Sequence, residues 1–437
     1  MSFSVRGQNV TVVGAARSGV AAALLLAERG ARVTLTDMRP ELEQGVERQL
    51  CGAGVAVELG ARSSEGLASA DLIVVSPGVP LDQPSVAEAR RAGVPLMGEI
   101  ELASRWLSGR VVAITGTKGK STTTTLAGRM FEAGGLRVLV GGNIGTPLSS
   151  QVAASTPDTY HIVEVSSFQL ETTETFHPWI AVLLNLSSDH LDRHGSMEQY
   201  GAAKAKIFAN QTEDDWAVIN ADDPQTLALA RAGRAKKVFF PVDPPLVPLS
   251  SIRLKGRHLI ADVMAAAAVA RLAGISPDAM TSAVESFAGL EHALEPVMTI
   301  SGVQFVNDSK ATNVEAAVRA IESVETGLVA IIGGRFKGGD LHRLAEPLRS
   351  RHATVVAIGE AQPLIRSALE GVVPVHLAQS MSAAVRQAFT LAPIGGTVLL
   401  SPACASFDMF RDYAERGHKF KQEVKKLAEE ASTTREQ

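Results

Sequence analysis

The sequence predicts an α/β protein of three domains, and three observations carry that prediction. Short β-branched runs alternate with helical stretches along the whole chain, the pattern of parallel sheets wrapped by helices. Glycine clusters fall where strands should end, at Gly14–Gly19, Gly116–Gly119, Gly141–Gly145 and Gly333–Gly339. The 437 residues allow two to four domains at roughly 100–200 residues each.

The elements follow in order. Asn9–Val13, Val33–Thr36 and Leu72–Val75 are β-branched, bounded by Gly, Asp or Pro, and read as strands; Gly19–Glu28 and Pro84–Ala92 read as helices. A second unit starts at the run Val111–Thr115. It continues through a helix at Ser121–Ala133 and strands at Arg137–Val140, His161–Val165 and Ala181–Asn185. A third contains strands at Val303–Asn307, Val329–Ile332, Thr354–Ile358 and Thr397–Leu400. Boundaries at Val94–Glu99 and Gly289–Glu295 give domains 1–98, 99–290 and 291–437. Lys419–Gln437 reads as a solvated terminal helix.

Composition excludes several classes. With 46% hydrophobic residues, 20% charged residues and a net charge of −4, the chain is not disordered. A mildly acidic balance argues against a nucleic-acid partner. No run of about 18 apolar residues is present, so no membrane insertion is expected. Met1–Gly7 lacks the apolar core of a signal peptide. Cys51 and Cys404 are too few and too distant for a disulfide framework or a cysteine zinc site. That fits a reducing cytoplasm.

Five motifs carry chemistry. Gly14-Ala15-Ala16-Arg17-Ser18-Gly19 follows a strand and opens a helix. It is close to a dinucleotide-binding turn, with Ala16 in place of the middle glycine. The helix start offers N–H groups to a diphosphate, and Asp37 closes the second strand where a ribose-contacting acid would stand. A turn serving only packing is the plain alternative. Gly116-Thr117-Lys118-Gly119-Lys120-Ser121-Thr122 is more specific. Ile114 replaces the first glycine of a strict P-loop. The loop still supplies backbone N–H groups, a lysine for the β- and γ-phosphates, and a hydroxyl for Mg2+, so ATP is the expected ligand.

Glu164, at the end of an apolar strand before Ser166-Ser167-Phe168-Gln169-Leu170-Glu171, suits a Mg2+ ligand in the crevice at the sheet's C-terminal edge. A helix-capping cluster is the alternative. Asn185-Leu186-Ser187-Ser188-Asp189-His190-Leu191-Asp192 follows the next strand and puts His190 beside acids. Lys204 and Lys206 come next on a helix, where solvated faces are the plain reading. In the third unit, Asn307-Asp308-Ser309-Lys310-Ala311-Thr312-Asn313, Gly333-Gly334-Arg335-Phe336-Lys337 and Ser401–Ser406 all follow strands. Lysines and hydroxyls gathered at one sheet edge suit capture of a carboxylate or phosphate.

Together these motifs resemble the Mur ligases, ATP-dependent enzymes that build the peptide stem of peptidoglycan, over essentially the whole chain. Glu164–Glu171, Asn143 within Gly141–Gly145, Asn307–Asn313 and Ser401–Asp408 are similar to the D-glutamate-adding branch. The resemblance implies a Rossmann-like first domain, a P-loop-type ATP-binding central domain and a Rossmann-like third domain. It implies cytoplasmic addition of D-glutamate to UDP-N-acetylmuramoyl-L-alanine through an acyl phosphate, by a monomer using ATP and two Mg2+ ions. Closure of the domains over substrates is expected from the short linkers.

The resemblance also implies roles. The UDP substrate falls to Gly14, Ala15, Ala16, Arg17, Ser18, Asp37, Arg39, Ser76, Pro77 and Gly78, with Asn143 beside it. ATP falls to Gly116, Thr117, Lys118, Gly119, Lys120, Ser121, Thr122, Asp262 and Asp308. Ser121, Glu164, His190 and a carbamylated Lys204 would hold the metal. Lys310, Thr312, Lys337, Ser406 and Tyr413 would bind D-glutamate, Tyr413 standing where Phe is usual. The catalytic set is Lys120, Asn143, Glu164, His190, Lys204 and Lys310.

Some positions depart from the family pattern. His258-Leu259-Ile260-Ala261-Asp262 replaces a His-Asn-x-x-Asn, Ala293 replaces an Arg, Lys118 an Asn and Arg335 an Asp. Weaker or altered nucleotide contacts are expected. Two alternatives remain: another Mur-type or folate-polyglutamating ligase, or a catalytically weak nucleotide-binding scaffold.

Overall fold

The computed structural model describes residues 3–42, 45–60, 66–241, 243–252, 257–287, 289–325 and 327–433. The side chains of Asp192 and His258, and the last four residues of the expected C-terminal helix, lie outside them. The chain packs as two compact units, Met1–Phe287 and Ala288–Gln437.

The first unit carries two parallel sheets. One has the order β3-β2-β1-β4-β5, from β1 (Asn9–Val13), β2 (Arg32–Asp37), β3 (Ala56–Leu59), β4 (Leu72–Val75) and β5 (Leu96–Gly98). The other has the order β11-β10-β9-β6-β8-β7. It is built from β6 (Arg110–Thr115), β7 (Arg137–Gly142), β8 (Thr159–Glu164), β9 (Ile180–Leu183), β10 (Trp216–Asn220) and β11 (Lys236–Phe240). The inner strands β4, β6 and β9 are near-continuous buried apolar runs, as a parallel sheet covered on both faces requires. Leu25, from the helix Arg17–Glu28 of the first sheet, packs with Ile100, Val111 and Leu148 around the second. The first two expected domains therefore share one packed unit while keeping separate sheets.

The second unit has one sheet, ordered β12-β13-β17-β14-β15-β16. Its strands are β12 (Glu295–Ile300), β13 (Val303–Asn307), β14 (Leu328–Gly333), β15 (Thr354–Ile358), β16 (Val375–Leu377) and β17 (Thr397–Leu400). Among the strands of the described residues, only the β12–β13 pair is antiparallel. Ser301 and Gly302 close that hairpin, both at positive φ, as a tight two-residue turn demands. One core lies on each face, around Leu344 and Ile365 on one side and Phe305 and Phe420 on the other.

The sequence reading missed β3, β5, β10, β11, β12 and β16. Most of these sit at sheet edges or beside them, and are short or charged, so their apolar signal is weak. The terminal helix starts earlier than expected, at Tyr413, and runs to Thr433. It is not merely solvated: Phe420, Val424 and Leu427 are buried in the core. Among the described residues no helix is long and apolar enough to cross a membrane.

Candidate active site

In all three sheets the motif residues follow the C-terminal ends of parallel strands, where ligand crevices form. In the first sheet, Gly14 follows β1, Asp37 ends β2 and Ser76 follows β4. Ser76 Oγ donates to the Gly14 carbonyl at 2.8 Å. Gly19 must lack a side chain, because a Cβ there would meet the Gly14 carbonyl oxygen at 1.8 Å. Ala16 caps the helix in extended backbone geometry, so no glycine is needed at that position. Asp37 accepts from the Ala15 N–H at 2.6 Å and pairs with the Arg39 guanidinium at 2.9 Å. Burial pushes its carboxyl up, but Arg39 and the Ala15 N–H outweigh that and hold it at about 2. Arg17 reaches the Gly145 carbonyl, on the loop that carries Asn143. Arg17 thus ties the turn after β1 to the loop of Asn143.

The loop after β6 turns on Gly119 at φ +83°, directly before the helix Lys120–Ala133. Asn185, following β9, staples this loop. Its Oδ1 accepts from the N–H groups of Thr117 at 3.1 Å and Lys118 at 2.9 Å, and its Nδ2 donates to the Lys118 carbonyl at 3.0 Å. Tyr200 and Thr117 share a hydroxyl–hydroxyl hydrogen bond of 3.2 Å. Lys120 Nζ donates to the Gly116 and Thr117 carbonyls at 3.0 and 2.9 Å. Lys204 Nζ donates to the same Gly116 carbonyl at 2.8 Å.

Lys204 is only 1% exposed, so the solvated-face expectation fails for it; Lys206 is exposed and donates to the Glu171 carbonyl. Burial, reinforced by the Lys120 charge, brings the Lys204 ammonium down to about 7. A lysine that is easily neutral has the free amine that carbamylation by CO2 needs.

Glu164 ends β8 and is 2% exposed. Asn143 Nδ2 donates to its Oε1 at 2.7 Å, while Oε2 has no hydrogen-bond partner. Ser166 and Gln169 form a capping box on the next short helix. The capping alternative is therefore real for Ser166 but does not use Glu164. An orphaned, buried carboxylate oxygen is costly unless a donor or cation meets it. Glu164 and Ser121 offer the hard oxygens that Mg2+ prefers. His190 stands at φ +52°, half-exposed against the Phe168 ring at 4.9 Å.

Arg193 went unnoticed in the sequence. It donates to the Pro77 and Val79 carbonyls at 3.0 and 3.2 Å, pairs with Glu171 and lies over the Phe168 ring. It anchors the Ser76-Pro77-Gly78 loop, and only its place beside His190 hinted at a role. Asp262 lies against the phosphate loop: a Cβ on Gly119 would meet its Oδ1 at 2.0 Å. Burial pushes the Asp262 carboxyl up to about 7, against the pull of Lys120.

In the second unit, Asn307 ends β13 and Asp308–Lys310 follow it, Lys337 lies beyond β14 and Ser406 beyond β17. Asp308 accepts from the Leu294 N–H at 3.1 Å, and burial pushes its carboxyl up to about 7. Ser309 Oγ donates to the backbone carbonyl of Tyr413 at 2.7 Å, a contact indifferent to Phe or Tyr at that position. Thr312 is half-buried, Ser406 buried and Lys337 exposed. Arg416, 1% exposed, also escaped the sequence reading. It donates to Ser309 Oγ, the Ser309 carbonyl and the Cys404 carbonyl, tying two of the three strand-end loops together. Arg335 is drawn into a two-pronged exposed pair with Glu360.

The comparisons agree with this layout. Three family models match: "Mur ligase MurD-like, N-terminal domain" over residues 8–98, "Mur ligase middle domain" over 114–245, and "Mur ligase, glutamate ligase domain" over 292–404. A protein of Koribacter versatilis named UDP-N-acetylmuramoylalanine–D-glutamate ligase is 43% identical, over 98% of this chain and 99% of its own. One of the same name from Acidobacterium capsulatum is 45% identical over 96% of each chain. Among solved structures, UDP-N-acetylmuramate-alanine ligase MurC of Thermotoga maritima has a TM-score of 0.58 at 17% identity, covering 96% of this chain and 100% of its own. MurF ligase of the same organism, in complex with ADP, has a TM-score of 0.54 at 18% identity, covering 97% and 96%. Those structures share the fold, while the curated relatives share the sequence from end to end: the chain belongs to the Mur ligase family.

Proposed function

We propose that this chain joins D-glutamate to UDP-N-acetylmuramoyl-L-alanine at the expense of ATP, in the cytoplasm and as a monomer. The observation that carries the choice of amino acid is the end-to-end similarity to proteins named for that reaction, at 41–45% identity. The phosphate loop with its two lysines supports the ATP half.

The chemistry follows from the substrates. A free carboxylate is a poor electrophile, so its oxygen first attacks the γ-phosphorus of ATP and ADP departs. The resulting acyl phosphate is attacked by the D-glutamate amine. The tetrahedral intermediate collapses to an amide, phosphate leaves with the bonding pair, and the amine gives up a proton. The loop N–H groups at Gly116–Thr122 and Lys120 hold the phosphates and offset the charge that builds on the transferred group. Asp308 and Asp262 complete the ATP contacts.

Mg2+ would be held by Ser121, Glu164, His190 and Lys204 as its carbamate, where it supplies charge neutralisation for phosphoryl transfer. Asn143 orients Glu164 and lies beside the UDP substrate. That substrate is seated by Gly14, Ala15, Ala16, Arg17, Ser18, Asp37, Arg39, Ser76, Pro77 and Gly78. Lys310, Thr312, Lys337, Ser406 and Tyr413 receive the D-glutamate carboxylates, with Arg416 holding Ser309 and Cys404 beneath them.

The test is phosphate release from ATP with UDP-N-acetylmuramoyl-L-alanine and, in turn, D-glutamate, L-alanine, L-lysine and diaminopimelate. Release only with D-glutamate is expected. Release with another amino acid instead would move the chain to a sibling ligase. No release with any of them would overturn the reading.

A further inference from the structure

We propose that Glu291, His292 and His418 form a binding site for one divalent transition-metal ion of the zinc class. One carboxylate oxygen and one ring nitrogen from each histidine lie within 4.8 Å of one another. His418 Nε2 is 3.1 Å from Glu291 Oε1, and His292 Nε2 is 3.9 Å from the same oxygen. Ligand atoms around a tetrahedral zinc lie roughly 3.3–3.5 Å apart when the bonds are about 2.0–2.1 Å. The spacing thus needs only small shifts of the exposed Glu291 and His418 side chains about the buried His292 ring.

The second observation is His292 itself. Its side chain is 4% exposed, yet Nε2 has no hydrogen-bond partner. A buried ring nitrogen left in that state points to a missing partner. The local backbone is arranged to put it there. His292 stands at φ +63°, and Gly417 lets the ring sit down, since a Cβ at 417 would come within 2.3 Å of Nδ1. Two imidazoles and one carboxylate suit zinc, cobalt or nickel, whereas Mg2+ prefers oxygen alone.

The surrounding groups allow ligation. Asn307 Nδ2 lies 2.8 Å from His292 Nδ1 and donates to Glu295 Oε2 at 2.9 Å. Donation to Nδ1 leaves the ring proton on Nε2. Ion capture moves that proton to Nδ1, which lies 3.7 Å from Glu295 Oε2. Closing that gap gives the carboxylate–histidine–metal relay common around bound zinc, at the loss of one hydrogen bond from Asn307. Lys421 Nζ now donates to both Glu291 Oε1 and Glu295 Oε1, at 2.6 and 2.9 Å. It stays with Glu295 when the ion takes Glu291. Two carboxylates against one ammonium leave the cluster a net negative charge, which favours a dication. His418, at 55% exposed, leaves a route in.

The experiment is calorimetric titration of the full chain with Zn2+ in Mg2+-containing buffer, with Co2+ as a spectroscopic probe. His418→Asn and Glu291→Gln remove ligands at exposed positions, and unchanged thermal unfolding without added metal shows that the fold is intact. We expect one Zn2+ per chain, affinity at least about tenfold weaker in each variant, and the visible bands of tetrahedral Co2+ lost in His418→Asn. Absence of stoichiometric binding, or equal binding by wild type and both variants, would overturn the proposal.

Discussion

Glu99 opens the helix Glu99–Ser104, just beyond β5, and is 2% exposed. Its Oε1 accepts from the Ser149 N–H at 2.6 Å, and Oε2 has no hydrogen-bond partner. Burial pushes this carboxyl from 4.5 up to about 7, against the pull of that N–H. Glu99→Gln keeps the accepting oxygen and replaces the orphaned one by a neutral amide. The sign follows from linkage. A carboxyl raised in the folded state is harmless below its unfolded value, where both states are protonated. As pH climbs from 4.5 to about 7 the unfolded chain ionises first and the wild type loses stability; above about 7 the loss is complete. The gap corresponds to roughly 3 kcal/mol. Urea unfolding followed by tryptophan fluorescence is the assay, since Trp106, Trp179 and Trp216 all lie in the unit that contains Glu99. The advantage of the Gln variant should grow across that window and then level off. A difference independent of pH, or a Gln variant less stable at pH 8, would refute the reasoning.

Three further outcomes test the nucleotide side. Gly119→Ala puts an L side chain at φ +83° and a Cβ 2.0 Å from Asp262 Oδ1. Strain of about 1–2 kcal/mol, added to that overlap, should raise the ATP KM about tenfold or more, and Asp262→Ala in the same chain should recover part of the loss. Asp262→Asn and Ala293→Arg restore family residues and should each lower the ATP KM; unchanged values in both would remove the idea that these departures weaken nucleotide contacts. Lys204→Arg keeps a cation but has no amine to carbamylate, and is expected to reduce kcat by a hundredfold or more. Activity near wild type would exclude a carbamate role.

Much of the fold was legible because parallel strands announce themselves. Val111–Thr115 and Val329–Ile332 are apolar runs that stop at Gly116 and Gly333, and both are strands. The edge strand β11, with sequence Lys-Lys-Val-Phe-Phe, has no such signature, since its charged half faces solvent. The motif residues were legible for a related reason: polar groups at a strand's C-terminal end are expensive without a ligand. Arg193 and Arg416 were not legible. Each acts by donating to backbone carbonyls of distant segments, Pro77 and Val79 for one, Ser309 and Cys404 for the other. A carbonyl carries no residue identity, so no sequence pattern marks its partner. Lys204 was legible only through the resemblance. Helix position alone gives a solvated ammonium, and it is the packing of its helix against the phosphate loop that buries it.

That burial explains how the loop is prepared. Lys120 and Lys204 both donate to the Gly116 carbonyl, so two amines converge on one oxygen. Burial lowers the Lys204 ammonium, and repulsion by the Lys120 charge in a dry site adds to it. On the proposed function, Lys120 serves the phosphates. On the same reading, Lys204 takes up CO2 and becomes an anion; it lies close enough to Glu164 to feel its charge. Burial, reinforced by that repulsion, would therefore divide the labour between the two lysines. Lys120→Met should raise the Lys204 ammonium toward its ordinary value and slow carbamylation at neutral pH. Bicarbonate dependence of a 13C-labelled carbamate signal, read by NMR in both proteins, measures this directly. An equal signal in Lys120→Met would show that burial alone sets Lys204.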